Sequence, residues 1–155
     1  KEITGLNPNI KWPNDIMLSK KKVCGVLTEL DAEMDSINYS IIGIGINVNN
    51  EIEENLQDIA ISLNSIIGTQ ISRVKLLQSV FKHLDENYVK LISKNYRSIR
   101  ELWFFFANII GKKIQVEGEK EDISGVVIDV DQSGCLILDT DKGQVRIVSG
   151  DITFL

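Results

Sequence analysis

The sequence predicts an α+β chain: a strand-rich first third, a helical middle and a small β-barrel at the end. Three observations carry that expectation. Runs of Val, Ile and Leu fill much of residues 1–50, as "VCGVLTELD" (23–31) and "NYSIIGIGINVN" (38–49). Apolar residues then recur at helical spacing between positions 55 and 93. After Gly111 the texture changes to short strands separated by Gly and Asp turn signals. A domain boundary is therefore placed near residue 110, giving segments 1–110 and 111–155.

The elements follow in order. Between the first two strands, the polar stretch Ala32–Ser36 reads as a hairpin loop. The second strand is nearly all apolar, as expected of a central strand covered on both faces. Leu56, Ile59, Leu63, Ile66 and Ile67 fit a helix over 55–67, stopped at Gly68. Ser72 is a candidate N-cap for a helix over 72–93, with Leu77, Val80, Phe81, Leu84, Tyr88 and Leu91 as its apolar stripe. Lys75, Lys82, Lys90 and Lys94 fall off that stripe and read as a solvated face rather than a nucleic-acid surface. Residues 96–110 read as helical or irregular. Beyond Gly111, turn signals at Gly118–Asp122, Gln132–Gly134 and Asp141–Gly143 punctuate five short strands in about 45 residues, the density of a small barrel.

Bulk numbers bound the function. The 155 residues are 43% hydrophobic and 25% charged, a globular composition for one domain, or one small domain plus part of another. A net charge of −5 gives no global footprint for nucleic acid. Cys24 and Cys135 lie far apart in apolar surroundings without CxxC spacing; they read as buried, reduced thiols, which points to the cytoplasm. The longest apolar run, Trp103 to Ile110, is broken by Asn108 and too short to span a membrane. The chain begins "KEITGLNPN" without a methionine, as expected of a piece of a longer protein.

The usual catalytic inventories are mostly empty. His83, the one histidine, sits mid-helix; no GxSxG, HExxH or metal-spaced Cys/His cluster occurs. "GIGIN" lacks the GxGxxG spacing of a dinucleotide loop. Three stretches remain. In "KWPND" (11–15) Pro13 pushes Trp12 toward an extended conformation, leaving Asn14 and Asp15 at a turn. By itself this reads as a plain turn, in which Asn and Asp bond their own backbone, rather than as a site. In "KKKVCGVLTE" Lys22 enters an apolar strand, where its charge either meets an anion or snorkels to water. Gly25 allows close approach of a ligand or another backbone, and Glu29 shares its face by the period of two. In "GIGINVN" Gly43 and Gly45 supply no packing. They suit either a flat ligand on the backbone or a bulge or tight crossing, with the amides of Asn47 and Asn49 at the strand end.

Taken together, "KWPNDI", "KKVCGVLTE" and "IIGIGINVN" resemble the biotin protein ligase family in order and spacing. "DIAISLNSIIGTQISRVKLLQSVF" resembles the helices that follow. "GKKIQV…GVVIDVDQSGCLIL…GQVRIVSGDITF" resembles the family's small C-terminal domain. The resemblance covers essentially the whole chain. It implies the C-terminal half of a class II aminoacyl-tRNA-synthetase-like catalytic domain, a mixed sheet with helices, over 1–110. Over 111–155 it implies an SH3-like barrel.

The implied activity is that of a biotin–[acetyl-CoA-carboxylase] ligase. Biotin and ATP give biotinyl-5′-AMP and pyrophosphate, with Mg²⁺ on the nucleotide rather than at a dedicated protein site. Biotin then passes to a lysine of a biotin carboxyl carrier protein. Adenylation joins two anions, so cations must offset their repulsion. By resemblance Lys22 contacts the biotin carboxylate and α-phosphate, and Lys11 is a second cation on the phosphates. Asp15 orients or deprotonates the acceptor amine, which attacks only when neutral. Asn14 and Asn47 contact nucleotide or metal, Gly43 and Gly45 let the ligand lie on the sheet, and Gly25 lines the biotin pocket. Trp12 is a packing wall or a neighbour of adenine.

Two departures qualify the match. No GRGRxxR-type biotin loop and no winged helix occur in these residues, so a longer parent or another chain is expected to supply the N-terminal half of the catalytic domain. Leu155 stands where many relatives continue with an arginine. A homodimer formed through strand edges or the small barrel fits the architecture; no nucleic-acid or membrane partner is expected from this segment. The competing readings are a lipoate–protein ligase relative, or a non-catalytic module that binds a carrier or partner and exposes an apolar sheet face.

Overall fold

The computed structural model describes residues 2–33, 36–117 and 121–155. The chain forms two compact units. The first comprises Lys1–Ile10 and Asn14–Asp85; the second comprises Lys11–Pro13 and Glu86–Leu155. The architecture is mixed α/β with two antiparallel sheets.

The first sheet has the order β1(Asn9–Lys11), β2(Asp15–Leu18), β3(Lys21–Glu33), β4(Ser36–Ile46). The β2–β3 and β3–β4 pairs are antiparallel, which corrects the mixed sheet expected. Among the described residues a parallel bridge joins Lys22 to Ala60. The core lies where the inner ends of the strands meet the following loop and helix: Leu18, Val23, Cys24, Val48 and Leu63 are buried together, with Ile16, Val26, Ile46 and Ile61 packed around them.

Three expectations need correction here. Strand β4 is an edge strand rather than a central one, and residues 37–45 are exposed, Ile37 at 65% and Ile41 at 54%. Apolarity marked it as a strand to be covered but not which element would cover it. The expected loop at Ala32–Ser36 is shorter. Ala32 and Glu33 belong to β3 and Ser36 begins β4, while Met34 and Asp35 lie outside the described residues. The helix expected over 55–67 is broken into a 3₁₀ turn at Glu54–Leu56 and α1(Leu63–Ile67). Between them Lys22 N donates to Ile59 O and Ile61 N donates to Lys22 O. Pairing with β3 overrides the 3.6-residue period.

Helix α2(Arg73–Ile92) follows, with Ser72 Oγ accepting from Lys75 N at 3.4 Å. Its stripe carries the sequence pattern, yet no residue of α2 is buried. His83 is half-exposed, 3.3 Å from Glu2. Helix α3(Tyr96–Ala107) is capped by the Asn95 side chain and ends at Asn108, whose φ is 44°. Among the described residues no helix is long and apolar enough to cross a membrane.

The second sheet has the order β8(Gly143–Ile147), β7(Leu136–Thr140), β6(Ile123–Val130), β5(Lys113–Val116), β9(Ile152–Phe154), every pair antiparallel. Ile109, Ile114, Val127, Leu136, Leu138 and Ile152 are fully buried in this unit. Among the described residues no closed barrel is found: β8 and β9 are the edges of the sheet, and closure would require them to pair. The turn signal at Gly118–Asp122 falls largely on residues 118–120, outside the described ones.

Asp131 fixes the turn between β6 and β7. Its Oδ1 accepts from Ser133 N at 2.8 Å and Cys135 N at 3.0 Å, and Arg146 Nε donates to Oδ2. The Arg146 hydrogen bond first, then that from Cys135, hold the carboxyl below its ordinary range. A carboxyl depressed in the folded state contributes stability above its unfolded value and loses it as pH falls through the folded one. The contribution is therefore complete above about pH 4 and fades on further acidification. Asp131→Asn is expected to flatten the acid limb of a Tm-against-pH curve; an unchanged acid limb would exclude this account.

Candidate functional site

In the first unit, Asn14, Lys22, Gly25, Val26, Leu27, Gly43, Ile44 and Gly45 line an open depression of about 460 Å³. The register explains the grouping. Asp15 pairs with Gly25, Gly25 with Gly45, and Leu27 with Gly43. Directly opposed residues of an antiparallel pair share a face. One face of the sheet thus presents the Asp15 carboxylate and a floor of three glycines. Glu29, opposite Ile41, continues that face outward.

Lys22 reaches the same face. A register shift between Ile16 and Met17 sets it opposite Met17, and the bridge to Ala60 holds its backbone. Its Nζ lies 2.6 Å from Asp15 Oδ1. That oxygen is screened from solvent and makes no hydrogen bond of good geometry, so the contact is an ion pair with poor angles. Side-chain exposure is 47% for Lys22 and 20% for Asp15. With the lysine end solvated, the pair adds little stability. Beside it, burial first and the Asp15 carboxylate second push the Cys24 thiol up, with Lys22 opposing; Cys24 and Cys135 are both buried and free.

The three glycines differ. A Cβ on Gly25 would stand 3.0 Å from Lys22 Cε and 3.2 Å from its Nζ. On Gly43 its nearest neighbour would be Leu27 O at 3.7 Å, and on Gly45, Gly25 O at 4.0 Å. The β3–β4 register shift lies at Asp31/Ala32, away from both. Neither a bulge nor a tight crossing within the described residues accounts for glycine at 43 and 45.

The remaining sequence-selected residues are placed differently. Asn14 clips the turn to β3: its Nδ2 donates to Val26 O at 2.7 Å, and Val26 N donates to Asn14 O at 3.0 Å. Asn47 is not in the depression's lining; its Oδ1 accepts from Asn50 Nδ2 at 3.2 Å. Asn49 holds the backbone of Ile71 through both ends of its amide. Lys11 and Trp12 belong to the second unit. Lys11 Nζ pairs with Asp151 Oδ1 at 2.8 Å. Trp12 is 3% exposed, and its indole N–H donates to Gly134 O at 2.9 Å.

Sequence reasoning missed Ile59–Ile61, the segment that fixes Lys22, because a backbone bridge leaves no residue-type signature. It also missed Val26 and Ile44 in the lining; the alternation of β3 and β4 around the glycines carries that signal. Chemically, the face offers a half-exposed cation, a carboxylate beside it and a flat backbone floor.

Residues 1–47 match the family described as "Biotin/lipoate A/B protein ligase family", and residues 109–155 match "Biotin protein ligase C terminal domain". The chain is 36% identical over 155 residues to the bifunctional ligase/repressor BirA of Bacillus subtilis, covering 98% of this chain and 48% of that protein. It is 28% identical over 153 residues to the biotin–[acetyl-CoA-carboxylase] ligase of Mycobacterium tuberculosis, covering 94% and 53%. The chain thus spans about half the length of the curated relatives it matches. Among solved structures, the apo biotin protein ligase of Aquifex aeolicus superposes with a TM-score of 0.86 at 33% identity, covering 99% of this chain and 68% of that one. The same enzyme in complex with biotin and ATP gives a TM-score of 0.82, covering 99% and 64%.

Proposed function

The chain belongs to the biotin protein ligase family, and on that premise we propose that it is the C-terminal part of an enzyme that activates biotin with ATP and transfers it to a lysine of a carrier protein. The observation that carries this reading is the glycine floor beside the Lys22–Asp15 pair. Gly43 and Gly45 answer no packing need of the described residues and leave the backbone open to a flat ligand. That the Aquifex relative is described with biotin and ATP supports the choice of ligands.

The first half-reaction joins a carboxylate oxygen to the α-phosphorus of ATP and expels pyrophosphate. Lys22 is assigned to the carboxylate and the α-phosphate, where one ammonium offsets the meeting of two anions. Mg²⁺ arriving with the nucleotide would supply further neutralisation of its phosphates. Gly25, Gly43 and Gly45 form the floor, and Asn14 borders it. In the second half-reaction Asp15 receives the proton of the acceptor amine. Lys11 is assigned to the nucleotide phosphates, for which it must exchange Asp151. Trp12 is assigned to packing, and Asn47 keeps a nucleotide role only if Asn50 releases its side chain.

We assign residues 1–110 to the catalytic domain and 111–155 to an SH3-like C-terminal domain, the five-stranded sheet being its open equivalent. The N-terminal half of the catalytic domain is assigned to the remainder of a longer parent. Two free, buried thiols favour the cytoplasm. A second reading, a partner-binding module without turnover, is favoured by the exposed apolar ribbon of β3 and β4, including Leu27, Ile37 and Ile41.

The test supplies the full natural chain with MgATP, a biotin carrier domain and equal biotin and lipoate, and reads the carrier's intact mass. A biotin adduct is the expected result. A lipoyl adduct would move the protein to the sister enzymes. No adduct from a folded protein and a validated carrier would leave the binding-module reading.

A further inference from the structure

Lys22 and Asp15 are assigned above to different half-reactions, yet their side chains are engaged with each other. The ammonium lies 2.6 Å from Asp15 Oδ1, an oxygen screened from water with no well-formed hydrogen bond. Asp15 is the more enclosed member and Lys22 the more exposed one. The Lys22 backbone is fixed by hydrogen bonds to Ile59 and Ile61, so only the side chain is free to swing. It lies over Gly25, where a Cβ would stand 3.0 Å from Cε and 3.2 Å from Nζ, so glycine at this position leaves the side chain its room. An ion pair of this exposure is weak and readily exchanged for another anion.

We propose that Lys22 serves two anions in turn. It neutralises Asp15 in the empty site and leaves for the carboxylate and α-phosphate of the bound ligand. Asp15 is thereby released to act as base only once an adenylate stands on the glycine floor. The proposal rests on the ligase reading and adds an order to it. In transfer, the acceptor nitrogen bonds to the acyl carbon and the bond from that carbon to the phosphate oxygen breaks. AMP leaves with the electron pair, and one N–H proton passes to the Asp15 carboxylate. An acceptor lysine that reaches an empty site meets a carboxylate already occupied by an ammonium.

The decisive readout is the sign of an affinity change. In the full natural chain, Asp15→Asn removes the competing anion and keeps the side chain's shape. The variant is expected to bind biotinyl-5′-AMP roughly two- to fivefold more tightly than wild type. Its transfer from supplied biotinyl-5′-AMP to the carrier is expected to fall about a hundredfold or more. Weaker binding by the variant would mean that Asp15 merely orients Lys22, and would overturn the proposal. A crystal structure of the wild-type chain with biotinyl-5′-AMP provides a test independent of any variant. The Lys22–Asp15 separation should open beyond about 4 Å, the limit of an ion pair, and a pair still in contact would overturn the exchange. Absence of biotin-dependent pyrophosphate release from wild type would overturn the ligase reading itself, and the proposal with it.

Discussion

Lys22→Ala in the full natural chain is expected to lower biotin-dependent pyrophosphate release by about a hundred- to a thousandfold, the loss typical of removing one group aimed at charge that develops in a transition state. The fold should survive. The Lys22 side chain is half-exposed, so the substitution forfeits little packing. Its backbone links to Ile59 and Ile61 do not depend on the side chain. The cost to stability is the Asp15 oxygen left without its cation, on the order of 1–3 kcal/mol. Activity and stability are thus expected to separate: a cooperative unfolding transition near that of wild type, with adenylate formation nearly abolished. Pyrophosphate release at the wild-type rate would remove Lys22 from the chemistry. A parallel loss of both would make it a structural residue.

What the sequence disclosed follows from the range of each signal. Period-two alternation set Gly25 and Glu29 on one face, and the β3–β4 register places them there. The start of α2 lies at its expected cap residue, Ser72, because caps act within a turn; Asn95 and Asn108, which bound α3, are not among the expected caps, and the expected end at Gly111 falls past the helix. Signals that cross the chain were illegible. Nothing around Ile59 tells that its carbonyl accepts from Lys22, yet that bridge breaks the expected helix and fixes the site's cation. The five strands after Gly111 were countable from turn chemistry. Whether their edges meet is a matter of strand tilt and stagger, which turn residues do not encode. KWPND shows the limit most sharply. As a string it is one motif; in the structure Lys11–Pro13 join the second unit while Asn14 and Asp15 join the first. Lys11 meets Asp151 and Trp12 meets Gly134. Those partners lie 140 and 122 positions away, beyond any local pattern.

The second large effect is expected at Trp12. The indole is 3% exposed and its N–H donates to the carbonyl of Gly134, a turn residue with φ of 82°. Truncating a buried Trp to Ala typically costs about 3–5 kcal/mol, from lost apolar contact and the cavity left behind. Trp12→Ala should therefore lower the denaturant midpoint by a large fraction of the chain's stability. Trp12→Phe keeps part of the apolar body but loses the N–H and the rest of the indole, so it should cost less than Trp12→Ala, about 1–3 kcal/mol. The damage should also be local. Trp103, the other tryptophan, lies in α3 of the same unit and remains as a fluorescent reporter. In native-state hydrogen exchange, amides of β5–β7 should lose protection before those paired between β2 and β3, because the cavity opens in the second unit. If the β2–β3 amides exchanged first, Trp12 would be supporting the sheet that carries Lys22, and an activity loss in this variant would have to be read as displacement of the catalytic face. If β5–β7 loosened first while the β2–β3 amides stayed protected, Trp12 would be a packing residue of the second unit, and the chemistry assigned to Asp15 and Lys22 would stand apart from it.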